Sequence, residues 1–137
     1  MVIPYLLLVS ADPTLRDFIR LLLLDWRVVD VASGLEALQC LTKQPAEVII
    51  LDENLGDIEL ATMVDMLKTA PPSRAIPIIV LSGGGLQVRA QVIRLGADGC
   101  LRKPVCALEL HRKLQTLLPY AALLPQAIPH YVAATGS

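Results

Sequence analysis

Short apolar runs recur along the chain at Tyr5–Val9, Val28–Val31, Val48–Leu51 and Ile76–Leu81, with a weaker one at Cys100–Arg102. The strongest are rich in Val, Ile and Leu and lack polar alternation, as strands covered by helices on both faces do. Between the runs, apolar positions repeat at helical spacing. The alternation predicts a parallel sheet built from βαβ units, in the order strand, helix, five times over.

The helices carry their own punctuation. Asp12 is placed to cap the first, with Pro13 at the position where a missing N–H costs nothing, and Leu15, Phe18, Ile19 and Leu22 share one face. Ser33 and Glu36 form a capping box for the second, which turns Leu38 and Leu41 inward. The third carries Leu60, Met63, Val64 and Leu67 and stops before Pro71 and Pro72. A fourth runs from about Gln87 to Leu95 and ends at Gly96; a fifth starts near Val105, uses Leu110, Leu114 and Leu117, and ends at Pro119. From Pro119 onward the pattern dissolves, so residues 1–118 are expected to form one domain and 119–137 a proline-containing tail or linker.

Composition narrows the function classes. With 137 residues, 54% hydrophobic and 18% charged, the chain is expected to bury one substantial core. A formal net charge of -1 without a basic block argues against direct nucleic-acid binding. The apolar N-terminal stretch is too short to span a membrane and lacks the build of a signal peptide, so a cytoplasmic protein without a membrane partner is expected. Cys40, Cys100 and Cys106 match no zinc spacing and read as buried reduced thiols. Trp26 reads as packing, and His111, beside Arg112 and Lys113, as part of a solvated basic edge.

In an open parallel sheet, sites form beyond the carboxyl ends of the strands. There the first strand delivers Ser10, Ala11 and Asp12; the third Asp52, Glu53 and Asn54; the fourth Ser82 and three glycines; the fifth Lys103 and Pro104. The triglycine Gly83–Gly85 lacks the lysine and hydroxyl of a P-loop and reads as a flexible loop.

The segments "VIILDENL", "IIVLSGG" and "LGADGCLRKPV", in that order on this strand-helix framework, resemble the receiver domain of two-component response regulators over about Tyr5 to Leu118. The resemblance implies a flavodoxin-like, CheY-like (βα)5 sandwich, an α/β fold with strand order 2-1-3-4-5. It implies a signalling module rather than an enzyme, with Asp52 as phosphoacceptor and Ser82 and Lys103 binding the phosphoryl oxygens, a role lysine fills as a point charge. It further implies a cis bond before Pro104. The implied partners are a histidine kinase or phosphotransfer protein, an output protein, and a second copy of the chain as a homodimer.

Three departures qualify this. The family places two acidic residues after its first strand to hold Mg²⁺, and Ser10 and Ala11 stand there instead. Asp52, the Asn54 carbonyl and the Ser10 hydroxyl remain, a set expected to bind Mg²⁺ weakly or not at all, with Asp12 capping its helix. Cys100 stands where the family often has an aromatic residue, and "LGDIEL" lacks the usual proline and glycine. An atypical or pseudo-receiver acting through protein contacts is therefore expected. A genuine phospho-switch at Asp52 is the alternative, and a flavodoxin-like enzyme or cofactor binder a remote one. Asp52 and Lys103 read equally well as a plain ion pair at the strand ends.

Overall fold

The computed structural model describes residues 4–118; the stretch from 119 to 137, read above as a tail, lies outside them. Five strands, β1 (Leu6–Val9), β2 (Val28–Val31), β3 (Val48–Asp52), β4 (Ile78–Ser82) and β5 (Gly99–Arg102), alternate with five helices. These are α1 (Pro13–Leu22), α2 (Gly34–Lys43), α3 (Leu60–Thr69), α4 (Leu86–Arg94) and α5 (Ala107–Leu117). All strand pairs are parallel, in the order β2-β1-β3-β4-β5. This is the flavodoxin-like, CheY-like sandwich.

Strand pleating sends successive residues to opposite faces, and both faces are apolar. Leu7, Val9, Ile49, Leu51, Ile78 and Val80 meet Ala37 of α2, Met63, Val64 and Leu67 of α3, and Val92 of α4. Leu6, Leu8, Val48, Ile50, Ile79 and Leu81 meet Ile19 and Leu23 at α1 and Leu110 and Leu114 of α5. Trp26 packs against this second layer. Unbroken apolar strands are thus the direct cause of a sheet sealed on both sides, which leaves the strand ends as the place for polar chemistry.

The predicted caps form. Asp12 accepts from the Thr14 N–H at 2.9 Å, with Pro13 opening α1. Ser33 accepts from the Glu36 N–H at 3.2 Å while Glu36 reaches back to the Ala32 N–H at 2.8 Å. A third group joins them from outside the helix. Asp57 accepts from the Gly34 and Leu35 N–H groups at 2.8 and 3.0 Å, tying the loop after β3 to the start of α2.

Some details differ from the sequence expectation. β4 begins at Ile78 rather than Ile76, because the Ile76 N–H is held in a turn by the Ser73 carbonyl. α5 begins at Ala107, after Val105 has buried itself against the sheet. The buried stripe of α1 centres on Ile19, which leaves Phe18 on the rim, 42% exposed. Cys106 is exposed and Cys40 and Cys100 are only half-buried; all three are free thiols.

Each edge strand is flanked by an arginine. Arg20 of α1 donates to the Val28 carbonyl of β2 at 3.0 Å, and Arg89 of α4 donates to the Cys100 carbonyl of β5 at 2.6 Å. Among the described residues, no helix is long and apolar enough to cross a membrane.

Candidate functional site

Strand order reverses around β1 and β3, and their carboxyl ends define the crevice. Register places the residues: Val9 stands opposite Leu51, Asp52 opposite Leu81, and Ser82 opposite Arg102. Ser10, Asp52, Ser82 and Lys103 therefore arrive together from four adjacent strands. Three of them, Ser10, Asp52 and Ser82, are buried, with Asp52 only 1% exposed.

A carboxylate this deep requires compensation. The Ser10 hydroxyl donates to Asp52 Oδ2 at 2.7 Å, and the Glu53 N–H donates to Oδ1 at 2.9 Å. The Lys103 ammonium pairs with the same Oδ1. The Lys103 N–H donates to the Ser82 carbonyl at 3.0 Å, and the Lys103–Pro104 peptide is cis, as the resemblance implied. The expected ion pair and the expected constellation are one and the same object.

The mouth of β1 is organised differently. Ser10 Oγ accepts from the Asp12 N–H at 3.0 Å while its hydrogen goes to Asp52. The Ala11 N–H donates to the Asn54 carbonyl at 2.9 Å, and the Asn54 side chain accepts from the Gly56 N–H at 3.2 Å. Gly56 adopts a φ of 82°, the left-handed conformation in which glycine is free of strain, and turns the chain past Ala11. Arg16 anchors the layer, donating to the Ser10 carbonyl at 2.7 Å and pairing with Asp30 at 3.2 Å. Asp12 points into its helix cap, so of the hard-cation donors expected from the sequence Asp52, the Asn54 carbonyl and the Ser10 oxygen lie at this mouth. Among the described residues, no three His, Cys, Asp or Glu side chains gather into a metal cage.

At the mouth of β4 two of the three glycines have partners: the Gly83 N–H donates to Glu53 Oε2 at 2.7 Å and the Gly84 N–H to Ser82 Oγ at 2.9 Å. A Cβ on Gly84 would stand 2.6 Å from Val88 Cγ2, so close packing on α4 explains a glycine there. Glu53 was visible in the sequence as the residue after the strand-closing aspartate, but only the fold shows what it meets. Its Oε2 also lies 3.7 Å from Lys103 Nζ.

Beside this loop, a cavity of about 170 Å³ opens between Ser82, Gly84, Arg89, Cys100 and Arg102. Burial pushes the Cys100 thiol up from its ordinary pKa, the Glu53 charge adds to this, and Arg89 opposes it. A thiol so placed is protonated at neutral pH and is a poor nucleophile.

Comparison with known proteins decides the assignment. The model of the response regulator receiver domain family matches residues 6–115. The chain belongs to that family. The chain is 26% identical over 130 residues to the DNA-binding dual master transcriptional regulator RpaA of Synechocystis, covering 93% of the chain but only 54% of that regulator. The chain thus spans about half of that relative's length. Among solved structures, the receiver domain of sensor histidine kinase PA1611 from Pseudomonas aeruginosa is 28% identical, with a TM-score of 0.77 over 86% of this chain and 99% of that one. That structure holds a magnesium ion in its active-site cleft. The chemotaxis response regulator CheY4 of Vibrio cholerae is 26% identical with a TM-score of 0.77, covering 85% of this receiver and all of CheY4. The chain is thus a receiver domain of two-component signalling, a class of signalling modules that interact with histidine kinases and output domains and bind Mg²⁺ at the phosphorylation site.

Proposed function

We propose that this receiver transmits its signal mainly through protein contacts, with Mg²⁺-dependent phosphorylation of Asp52 impaired. The observation that carries this reading is the Ser10 hydroxyl on Asp52 Oδ2, with Ala11 as the next residue, where an acidic pair would hold the cation. Mg²⁺ dehydrates reluctantly and is bound through carboxylates and phosphate oxygens. Asp52 and the Asn54 carbonyl offer it one charged ligand, already shared with Lys103 and Ser10. The donor set does not fit a resident Mg²⁺ ion, so at most a weakly bound one is expected.

In this reading residues 1–118 form the signalling module and 119–137 a linker or appendage. The module works in the cytoplasm between a histidine kinase or phosphotransfer protein and an output protein, or against a second copy of itself. Asp52, Ser82 and Lys103 keep the anion-handling part of the site. This favours a second reading in which a dedicated kinase phosphorylates Asp52: a carboxylate oxygen bonds to phosphorus, the bond to the donor histidine breaks, and Lys103 and Ser82 face the phosphoryl oxygens.

A titration with Mg²⁺ and beryllofluoride, followed by backbone NMR, tests the first reading in the native chain and in Ser10→Asp/Ala11→Asp. Shifts around Asp52 and Ser82 are expected only in the double variant. A stoichiometric response of the native chain would overturn the proposal and leave the second reading, whose signature is a base-labile phosphoryl adduct absent from Asp52→Asn.

A further inference from the structure

Glu53 sits where an incoming anion would sit. Its Oε2 accepts the Gly83 N–H at 2.7 Å and lies 3.7 Å from Lys103 Nζ, immediately beside the Asp52 carboxylate that the same lysine neutralises. A phosphoryl group on or near Asp52 needs donors for its equatorial oxygens. The donors at this end of the crevice are the Lys103 ammonium, the Ser82 hydroxyl and the Gly83 N–H, the first of the loop after β4. Glu53 accepts that N–H and competes for the ammonium, while Ser82 Oγ accepts the Gly84 N–H and keeps its own hydrogen to donate. The Glu53 side chain is 35% exposed and is held by these contacts rather than by burial, so it is free to be displaced.

We propose that Glu53 is an internal anion that occupies the phosphoryl-oxygen position between Gly83 and Lys103 and excludes external phosphate until a partner draws it away. Two carboxylates already face one ammonium, so a further dianion meets net negative charge as well as a Gly83 N–H that is already taken. The loop after β4 is held against the end of β3 by the same contact, which makes departure of Glu53 and release of that loop one event. The proposal deepens the receiver reading and rests on it for the identity of the anion; the competition itself is a property of Glu53, Gly83 and Lys103 and is tested without phosphorylation.

The experiment is a titration of the full chain with inorganic phosphate, reading the Gly83 amide by NMR in the native protein, Glu53→Gln and Glu53→Ala, with thermal unfolding as the check that each variant folds. Glu53→Ala is expected to bind phosphate at least about ten-fold more tightly than the native chain, a change of about 1.4 kcal/mol. Glu53→Gln removes the charge but keeps an acceptor for the Gly83 N–H, so its gain is expected to be smaller. Without phosphate, the Gly83 amide should exchange with solvent fastest in Glu53→Ala. Equal phosphate affinity in all three proteins, or no phosphate response at Gly83 in Glu53→Ala, overturns the proposal. Tighter phosphate binding by Glu53→Ala upholds it even where Asp52 never accepts a phosphoryl group, which separates the two readings.

Discussion

On the β1–β3 side of the crevice the Ser10 hydroxyl stands on Asp52 and the Ala11 N–H donates to the Asn54 carbonyl; on the β4–β5 side stand a lysine, a serine and a loop of donating N–H groups. In the proposed reading the first side would face a cation and the second an anion. Both are well packed and hydrogen-bonded, so neither is a region of decay. Ser10 satisfies one oxygen of Asp52 and Lys103 the other, and a buried carboxylate thereby stays compensated without a divalent ion. The difference teaches that structural demand and chemical demand on a site separate: Ser10 and Ala11 supply no charged ligand, yet the carboxylate keeps partners enough to remain in place.

Unequal weights for the two sides give the sharpest test. Lys103→Met removes the only cation facing Asp52 among the described residues and leaves a charge that is 1% exposed. Removing one partner of a buried pair is costly, so a loss of about 3 kcal/mol in urea unfolding is expected, discounted for the partial exposure of the lysine. Ser10→Ala removes one hydrogen bond to the same charge and should cost less, about 1–2 kcal/mol. A larger loss for Ser10→Ala than for Lys103→Met would reverse the comparison.

Gly84→Ala probes the loop side alone. Its new Cβ meets the stiff Val88 side chain, so about 1 kcal/mol of destabilisation is expected in the same assay. Restoring stability with Val88→Ala in the same chain would confirm the clash as the cause.

The smallest effect belongs to Asp57, on the loop that flanks the β1–β3 side. Burial would raise its pKa, but the N–H groups of Leu35 and Gly34 outweigh this and hold the carboxyl below the usual carboxylate range. A group lowered in the folded state adds stability above its unfolded pKa and loses it as pH falls through the folded value. In urea midpoints measured from pH 6 down through the carboxylate range, near 4 and below, Asp57→Asn should therefore flatten the acid limb and leave its slope near neutrality unchanged. An unaltered acid limb would show that the contact to α2 carries no proton linkage.

Most of the sheet was legible because a parallel sheet buries both faces: unbroken runs such as Val48–Leu51 have no other role in so short a chain. The caps at Asp12 and Ser33 were legible because their partners lie within a few residues. Contacts closed by the tertiary fold were not. Asp57 reaches Gly34 across 23 positions and Glu53 reaches Gly83 across 30, and neither pairing leaves a local pattern. Phe18 obeyed helical spacing yet fell on the rim, since spacing sets an angle around an axis and not how far the neighbouring layer extends. The triglycine showed no distant partner in the sequence because Glu53, just past the end of β3, reaches Gly83 only through the fold, while the Ser82 contact is local.

The arginines at the sheet margins have a consequence for assembly. An open sheet ends in two strands whose outward backbone groups invite another chain to pair with them. Here a guanidinium already occupies one outward carbonyl on each margin, at Val28 and at Cys100. A strand added from another molecule would first have to dislodge a charged side chain anchored in α1 or α4. Recruitment by helix faces and loops is therefore the cheaper route, and lateral extension of the described five-stranded sheet is disfavoured.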